Sequence, residues 1–201
     1  MRVGMLGAGR VGGALTRALC RAGFEVVVAN RRGRVSLMPL VDEVGSGAVP
    51  AAVWEAARAP IVVLAVPFEA VEDVLAEADP PAGTVLVDAT NAWGGWDASL
   101  GADTSSQAVA AWAPEAHVVK ALNTVRASQM AAPGADGGPL GVPVAGDDPA
   151  AVRRVGEVLA HIGMATVAVG PLHAGRTMEP GGPLFGLVAG PDEVGRVAAG
   201  L

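Results

Sequence analysis

Short apolar runs rich in β-branched residues alternate with Ala-rich stretches over the first 124 residues of the chain. Runs such as Ile61–Val66 are apolar at every position, which is typical of strands that helices cover on both faces of a parallel sheet. In chain order, the pattern predicts strand Val3–Leu6, helix Val11–Ala22, strand Phe24–Ala29, helix Ala51–Ala57, strand Ile61–Val66, helix Glu69–Ala78, strand Thr84–Asp88, helix Ser105–Ala113 and strand His117–Leu122. Strands and helices that alternate with short connections predict an α/β fold, a Rossmann-type doubly wound and mostly parallel sheet.

The pattern changes after residue 124. A Gly/Pro/Ala-rich loop, Ala131–Gly138, precedes a predicted strand, Val142–Ala145. Asp148 and Pro149 then begin a predicted helix that ends near His161, because Asp caps helices and Pro fits their first turn. Ala165–Val169 is one more predicted strand, and the Gly- and Pro-rich remainder gives no clear pattern. We therefore divide the chain into a domain of residues 1–124 and a small segment of residues 125–201 that extends the same sheet.

Composition excludes several classes of protein. Hydrophobic residues make up 51% of the chain and charged residues 17%, so it can bury a substantial core and is not disordered. A net charge of −6 argues against a nucleic-acid or membrane-surface partner. No signal peptide is recognisable, and no apolar stretch approaches the roughly 20 residues of a membrane span. The single cysteine, Cys20, and the spacing of the three histidines exclude an internal disulfide and predict no metal site. We expect a cytoplasmic protein with a small-molecule partner.

The first strand leads into a glycine-rich turn, Gly7-Ala8-Gly9-Arg10-Val11-Gly12. Its spacing matches the dinucleotide-binding fingerprint, and it has the required context, directly after a strand and at the start of a helix. In that motif Gly7 permits the tight turn, Gly9 lets the backbone approach a pyrophosphate, and Gly12 lets the helix pack on the strand. The helix N-terminus would hold the negative charge of the pyrophosphate.

The end of the second strand indicates which nicotinamide cofactor binds. Sites for NAD place Asp or Glu there to accept hydrogen bonds from the ribose hydroxyls. This chain has Asn30, followed by Arg31, Arg32 and Arg34. A carboxylate would repel a 2′-phosphate, whereas arginine can bind one with two parallel hydrogen bonds. The sequence therefore predicts NADP(H), although a solvated arginine loop is the alternative.

Further candidates follow the later strands, at the sheet edge where such folds bind ligands. They comprise Val66-Pro67, Asp88–Asn91 and Lys120–Thr124. Lys120 is the only lysine, and it is either a structural partner for a carboxylate or a catalytic acid. The chain has no tyrosine, which excludes the Tyr/Lys pair of short-chain dehydrogenases. Hydride transfer between two redox cofactors needs no acid or base from the protein, and that reaction fits these absences.

Together these motifs resemble the coenzyme F420-dependent NADP oxidoreductase family. The likeness extends from the first strand to about residue 180. Lys-Ala-x-Asn-Thr and Gly-Asp-Asp are more specific to the family than the glycine turn. The similar segments are Met5–Gly12, Ala29–Arg32, Leu64–Pro67, Val87–Asn91, Val118–Thr124, Val144–Asp148, Gly170–Leu172 and Glu179-Pro180.

The resemblance implies reversible hydride exchange between NADPH and the deazaflavin coenzyme F420 in a homodimer. The nicotinamide would lie against Val66, Pro67, Asn91 and Ala121, with the C-terminal segment covering that side. Motifs and resemblance together give a cofactor-binding set of Gly7, Ala8, Gly9, Arg10, Val11, Gly12, Asn30, Arg31, Arg32, Arg34, Ala65, Val66, Pro67, Asn91 and Ala121.

Two other functions stay open at this point, because residues 181–201 are shorter and richer in glycine than the usual end of the family. One is direct reduction of a small carbonyl or imine compound, which Lys120, Asn123 or Glu179 would orient. The other is a non-catalytic NADP(H)-binding sensor.

Overall fold

The computed structural model describes residues 1–94, 102–130 and 137–201. Its strands are β1 Arg2–Leu6, β2 Glu25–Ala29, β3 Ala48–Pro50, β4 Ile61–Leu64, β5 Val85–Asp88, β6 His117–Lys120, β7 Leu140–Gly146 and β8 Met164–Gly170. Its α-helices are α1 Arg10–Arg21, α2 Met38–Val44, α3 Val53–Ala56, α4 Val71–Ala78, α5 Ser105–Trp112, α6 Pro149–Ala160 and α7 Pro191–Ala199. Of the predicted loop Ala131–Gly138, residues 131–136 lie outside the described residues.

The strands that the structure describes form one sheet in the order β3-β2-β1-β4-β5-β6-β7-β8. Neighbouring strands from β3 to β6 are parallel, β7 is antiparallel to β6, and β8 is parallel to β7. The first six strands have the order of a dinucleotide-binding sheet, in which the direction of winding reverses between β1 and β4. The predicted Rossmann-type, mostly parallel α/β fold is therefore confirmed, while the division at residue 124 stays a prediction.

Helices cover both faces of the sheet, as the fully apolar strands require. Alternate residues of β1 point to opposite faces, so Val3 and Met5 belong to the apolar cluster that includes residues of α1 and α6, while Leu6 belongs to the cluster that includes residues of α3, α4 and α5. A third cluster packs Val194 of α7 against Ala145 of β7. Because the direction of winding reverses between β1 and β4, a crevice lies at the carboxyl ends of these two strands.

Several predicted boundaries are wrong. The strand predicted as His117–Leu122 ends at Lys120, since Leu122 has a backbone φ of 68°, which no strand accommodates. The strand predicted as Ile61–Val66 ends at Leu64. The sequence pattern also missed α2, β3 and α7, all of which are short or rich in exposed positions.

Candidate functional site

The three fingerprint glycines occupy positions where a side chain is excluded or would fill open space. Gly7 has φ of +108°, and a Cβ there would lie 2.2 Å from the Ala65 carbonyl oxygen. A Cβ on Gly12 would lie 1.9 Å from the carbonyl oxygen of Gly7, so helix and turn touch backbone to backbone. A Cβ on Gly9, by contrast, meets nothing within 4 Å. The turn is therefore tightly packed at its two ends and open at its centre, as close approach of a phosphate requires.

Helix α1 begins directly behind this open position. Gly9 is its N-cap residue, and the first helical hydrogen bond runs from the Gly13 N–H to the Gly9 carbonyl at 2.8 Å. The N–H groups of Arg10, Val11 and Gly12 in the first turn have no acceptor within the helix. With 12 residues and no acidic side chain in its first turn, α1 presents a positive N-terminus to the turn.

A cavity of about 600 Å³ opens on this turn. It lies outside the carboxyl ends of β1, β2 and β4, at the crevice where the winding reverses. Its lining residues are Leu6, Gly7, Ala8, Gly9, Ala29, Asn30, Arg31, Arg32, Gly33, Arg34, Ala51, Ala52, Val53, Ala65, Val66, Pro67, Ala70, Asp73, Val74 and Glu77. The glycine turn, the arginine loop and Ala65–Pro67 thus share one cavity, whereas Asn91 and Ala121 are not among its lining residues.

The loop after β2 is closed by its own side chains. Asn30 Oδ1 accepts a hydrogen bond from the Arg32 N–H at 2.8 Å, and Asn30 Nδ2 lies 3.0 Å from Ser36 Oγ. Arg34 forms an ion pair with Glu55, which also accepts a hydrogen bond from the Ala52 N–H at 2.7 Å. These two bonds hold the pKa of Glu55 below its ordinary value, with the Arg34 contribution the larger. Sequence reasoning missed Ser36 and Glu55.

Lys120 and Asp88 form a fully buried ion pair. They are the last residues of β6 and β5 and lie opposite each other in the parallel register. Lys120 Nζ is 3.0 Å from Asp88 Oδ2 and donates to the Thr90 carbonyl at 2.8 Å. Both side chains have 0% exposure. The geometry therefore gives Lys120 a carboxylate partner, which is the structural alternative that the sequence left open.

Hydroxyl groups complete the shell of Asp88. The Ser106 and Thr90 hydroxyls each donate to its carboxylate at 2.6 Å. Burial alone would raise the pKa of Asp88, but the Lys120 charge and these hydrogen bonds outweigh it and lower the pKa. The Asp88 carboxylate therefore stays ionised inside the fold.

The other two catalytic candidates, Glu179 and Asn123, also form hydrogen bonds within the protein. Glu179 accepts hydrogen bonds from the Ser105 N–H at 2.9 Å and hydroxyl at 2.6 Å, which caps α5. Asn123 Nδ2 donates to the Met178 carbonyl at 2.7 Å and lies 3.1 Å from Asn91 Oδ1. Asn91 Nδ2 in turn donates to the Asn123 carbonyl at 3.0 Å. These contacts join the end of β5, the end of β6 and the C-terminal segment into one rim.

The rim retains unused acceptors. Asn123 Oδ1 and Thr124 Oγ1 are buried, and neither has a hydrogen-bond partner among the described residues. Leu122, in the same turn, is buried in the left-handed region of φ, an unfavourable conformation for a leucine. Strained residues and unsatisfied buried groups concentrate at binding sites.

In the described part of the chain, no group of three His, Cys, Asp or Glu residues is arranged to hold a metal ion. No helix among those residues is long and apolar enough to cross a membrane. The site chemistry rests on backbone N–H groups, arginines and amide side chains.

Comparison with known proteins identifies the family. The family described as NADP oxidoreductase, coenzyme F420-dependent, matches residues 2–92. A hypothetical protein of Sinorhizobium meliloti is similar over 94% of each chain, with 32% identity and a TM-score of 0.83. A candidate F420-dependent NADP reductase from Arthrobacter sp. FB24 is 29% identical, with a TM-score of 0.76, over 88% of this chain and 87% of that one.

A more distant structure shares the fold alone. The reductive aminase of Aspergillus terreus, solved with NADPH and ethyl-5-oxohexanoate, is 22% identical with a TM-score of 0.65. The match covers 86% of this chain but only 56% of the aminase. The family match spans the glycine turn, the arginine loop and Asn91, which are the elements that form the cavity and begin the rim. The chain is an NADP-dependent oxidoreductase and belongs to the coenzyme F420-dependent NADP oxidoreductase family.

Proposed function

We propose that this protein exchanges hydride between NADP(H) and the deazaflavin coenzyme F420. The observation that carries the proposal is the state of the three catalytic candidates. Lys120, Asn123 and Glu179 are all held in structural hydrogen bonds. A carbonyl or imine reductase needs a group that supplies a proton to its product, whereas exchange between two redox cofactors requires only that their rings lie together and water is excluded.

The cavity residues fit NADP(H). The open position at Gly9 and the N-terminus of α1 would hold the pyrophosphate through backbone N–H groups. Arginines of the loop after β2 would bind the 2′-phosphate, because a guanidinium offers two parallel N–H donors. Val66 and Pro67 would flank the nicotinamide from the cavity side, with Asn91 on the rim beyond, whereas Ala121 is fully buried. When bound, the nicotinamide supplies or accepts the hydride.

The rim offers a binding partner for the nicotinamide carboxamide. Asn123 is only 6% exposed, and its Oδ1 has no partner among the described residues. Its Nδ2 is fixed by the Met178 carbonyl, so the amide cannot turn to satisfy Oδ1 without breaking that bond. A carboxamide N–H that reaches Oδ1 would satisfy it, and Asn123 would then orient the ring.

An aromatic pair supports a flat second substrate. Trp93 follows Asn91 by two residues, and its side chain is 71% exposed. Phe185, from the C-terminal segment, contacts it edge to face with ring centroids 5.5 Å apart. An exposed indole close to the rim favours a planar, stacking substrate such as a deazaflavin over a small polar one.

To test the proposal, purified protein is mixed with NADPH and oxidised F420, and the loss of the deazaflavin absorbance is followed. We expect NADPH-dependent reduction of F420, and a much slower reaction with NADH because it lacks the 2′-phosphate. If F420 is not reduced but ketones or imines stimulate NADPH oxidation, the protein is a direct reductase. NADPH binding without turnover on any acceptor would identify a sensor.

The predicted homodimer and cytoplasmic location accompany this proposal. Light scattering of the purified protein measures the oligomer directly, and a mass of about twice the chain mass of 19.9 kDa is the expected result. A monomeric mass would contradict the dimer and would leave the hydride-exchange proposal to its own test.

A further inference from the structure

A short C-terminal segment packs on the elements that form the rim. Residues 172–179, which we call the strap, comprise a 3-10 helix, Leu172–Met178, and the residue that follows it. The strap packs against β6, β7 and α5, and Leu172, Gly175 and Met178 are buried. A Cβ on Gly175 would lie 3.4 Å from Cγ of Lys120. The strap backbone therefore lies directly against the buried lysine side chain at the end of β6.

Two carboxylates hold the two ends of the strap. At its start, Asp147 Oδ1 accepts a hydrogen bond from the Leu172 N–H at 2.9 Å. At its end, Glu179 Oε1 accepts from the Ser105 N–H at 2.9 Å and from the Ser105 hydroxyl at 2.6 Å. The first anchor joins the strap to the turn between β7 and α6, and the second joins it to the start of α5. Together they fix where the strap lies.

The strap presents one main-chain acceptor to the rim. This is the Met178 carbonyl, to which Asn123 Nδ2 donates at 2.7 Å. The Asn123 carbonyl accepts from Asn91 Nδ2 at 3.0 Å, and Asn91 Oδ1 lies 3.1 Å from Asn123 Nδ2. A backbone oxygen can only accept, so the NH2 group of each amide must face its carbonyl. Turning the Asn123 amide would oppose its oxygen to two acceptors and break both hydrogen bonds.

This polarity decides which ligand group the rim can take. Asn123 is 6% exposed, and its Oδ1 has no partner in the described part of the chain. A buried acceptor without a partner favours a ligand group that donates a hydrogen bond and disfavours one that has no N–H or O–H. The primary amide of a nicotinamide has such donors, whereas a methyl ketone in its place has none.

We propose that the strap sets the polarity of the Asn123 amide, and that Asp147 and Glu179 are the positioning residues that hold the strap. Both act through Met178 and Asn123. The rim thereby selects a ring substituent that carries an N–H donor. The inference rests on the proposed contact between Asn123 and the nicotinamide carboxamide, and it assigns the residues that keep Asn123 in the orientation that this contact requires.

The probes for the test are oxidised cofactors that differ at the ring substituent alone. NADP+ and its thionicotinamide analogue carry an NH2 group there, and the acetylpyridine analogue carries a methyl group in its place. Competition against NADPH, followed by NADPH fluorescence, gives their dissociation constants without turnover. For the wild-type protein we expect the first two to bind within about threefold of each other, and the acetylpyridine analogue to bind about tenfold more weakly than NADP+.

Single variants then release one end of the strap. Asp147→Ala and Glu179→Ala should each reduce the discrimination against the acetylpyridine analogue to about threefold or less, because the Asn123 amide is no longer held in one polarity. Asp147→Asn and Glu179→Gln keep the accepting oxygen and should keep the wild-type discrimination. The matched control is Asp148→Ala, which removes the neighbouring carboxylate that caps α6 and should leave the discrimination unchanged.

A measurement without cofactor shows whether the strap has been released. Hydrogen exchange of the backbone N–H groups of residues 172–179 should be faster in the two alanine variants than in wild type. In Asp147→Asn and Glu179→Gln it should stay at the wild-type rate. Thermal unfolding of each variant shows that the comparison is made between folded proteins.

The inference is overturned if the alanine variants keep the wild-type discrimination, or if their straps exchange no faster than that of wild type. It is equally overturned if Asp148→Ala lowers the discrimination as far as they do. A wild-type protein that binds all three cofactors alike would instead contradict the proposed contact of Asn123 with the carboxamide, and the inference with it. The two failures are distinguishable, because the second is seen in the wild-type protein before any variant is made.

Discussion

Replacing Lys120 by Met removes the ammonium group that neutralises the buried Asp88 carboxylate. The thioether side chain of methionine is about as long as the aliphatic part of the lysine side chain, so the packing against Gly175 changes little. The substitution changes the electrostatic environment of Asp88. Asp88 keeps its hydrogen bonds from Thr90 and Ser106 but loses its counter-charge at 3.0 Å.

The size of the loss follows from burial. Both side chains have 0% exposure, so water cannot replace the missing partner. Removing one member of such a pair typically costs about 3–5 kcal/mol of unfolding free energy. A domain of this size has about 5–15 kcal/mol in total, and each kcal/mol corresponds to roughly 2–4 °C in Tm. We therefore expect Lys120→Met to lower the Tm by roughly 10 °C.

The assay combines thermal and urea unfolding with steady-state kinetics well below the Tm. The matched control is the double variant Asp88→Asn/Lys120→Met, which removes both charges and retains hydrogen-bonding capacity at residue 88. It should recover a good part of the lost stability, because no uncompensated charge remains in the interior. In the folded fraction of either variant, kcat should stay within about tenfold of wild type.

The opposite pattern would refute this reasoning. If Lys120→Met unfolds like wild type but loses kcat by a hundredfold or more, Lys120 acts on the substrate and the pair is not primarily structural. A double variant less stable than the single one would likewise show that the charge of Asp88 is not the source of the loss.

Three more predictions concern other parts of the fold. Gly12→Ala places a methyl group 1.9 Å from the Gly7 carbonyl, so the turn must shift; titration should show NADPH binding weakened at least tenfold, and unchanged affinity would contradict the packing argument. The lowered pKa of Asp88 stabilises the fold above the unfolded pKa of about 3.9. That stability is lost as pH falls further through the folded pKa, so acid unfolding of Asp88→Asn should depend less steeply on pH there. Asp148→Ala removes the side chain that caps α6 by accepting from the Ala150 and Ala151 N–H groups; urea unfolding should show a small loss of stability, with NADPH affinity unchanged.

The central strands were predictable because their apolar runs reflect burial on both faces, which few other environments demand. The edge strand β3 was not, since it has three residues, contains a proline and exposes 41% of Val49. The sequence does contain a local pattern that predicts the start of helix α7. Gly190 and Pro191 precede Asp192 and Glu193, which is the composition of a helix start, but the surrounding glycines obscured it.

The candidate site likewise has a part that the sequence predicted and a part that it did not. The glycine turn is a local motif, so the sequence alone located its backbone geometry. The partner of Arg34 is Glu55, 21 residues further along the chain, and no local pattern connects them. The ion pair of Lys120 and Asp88 depends on the parallel register of two strands 32 residues apart. Such contacts follow from the topology, which the sequence predicted only in outline.

The proposed hydride exchange is tested most directly by isotope transfer. NADPH deuterated at both C4 positions is mixed with oxidised F420 and the protein in ordinary water, and the reduced deazaflavin is analysed by mass spectrometry. We predict that the reduced product is one mass unit heavier than that formed from unlabelled NADPH, and that the difference requires the protein. Reduced F420 without the label, or no reduced F420 at all, would contradict direct transfer between the two cofactors.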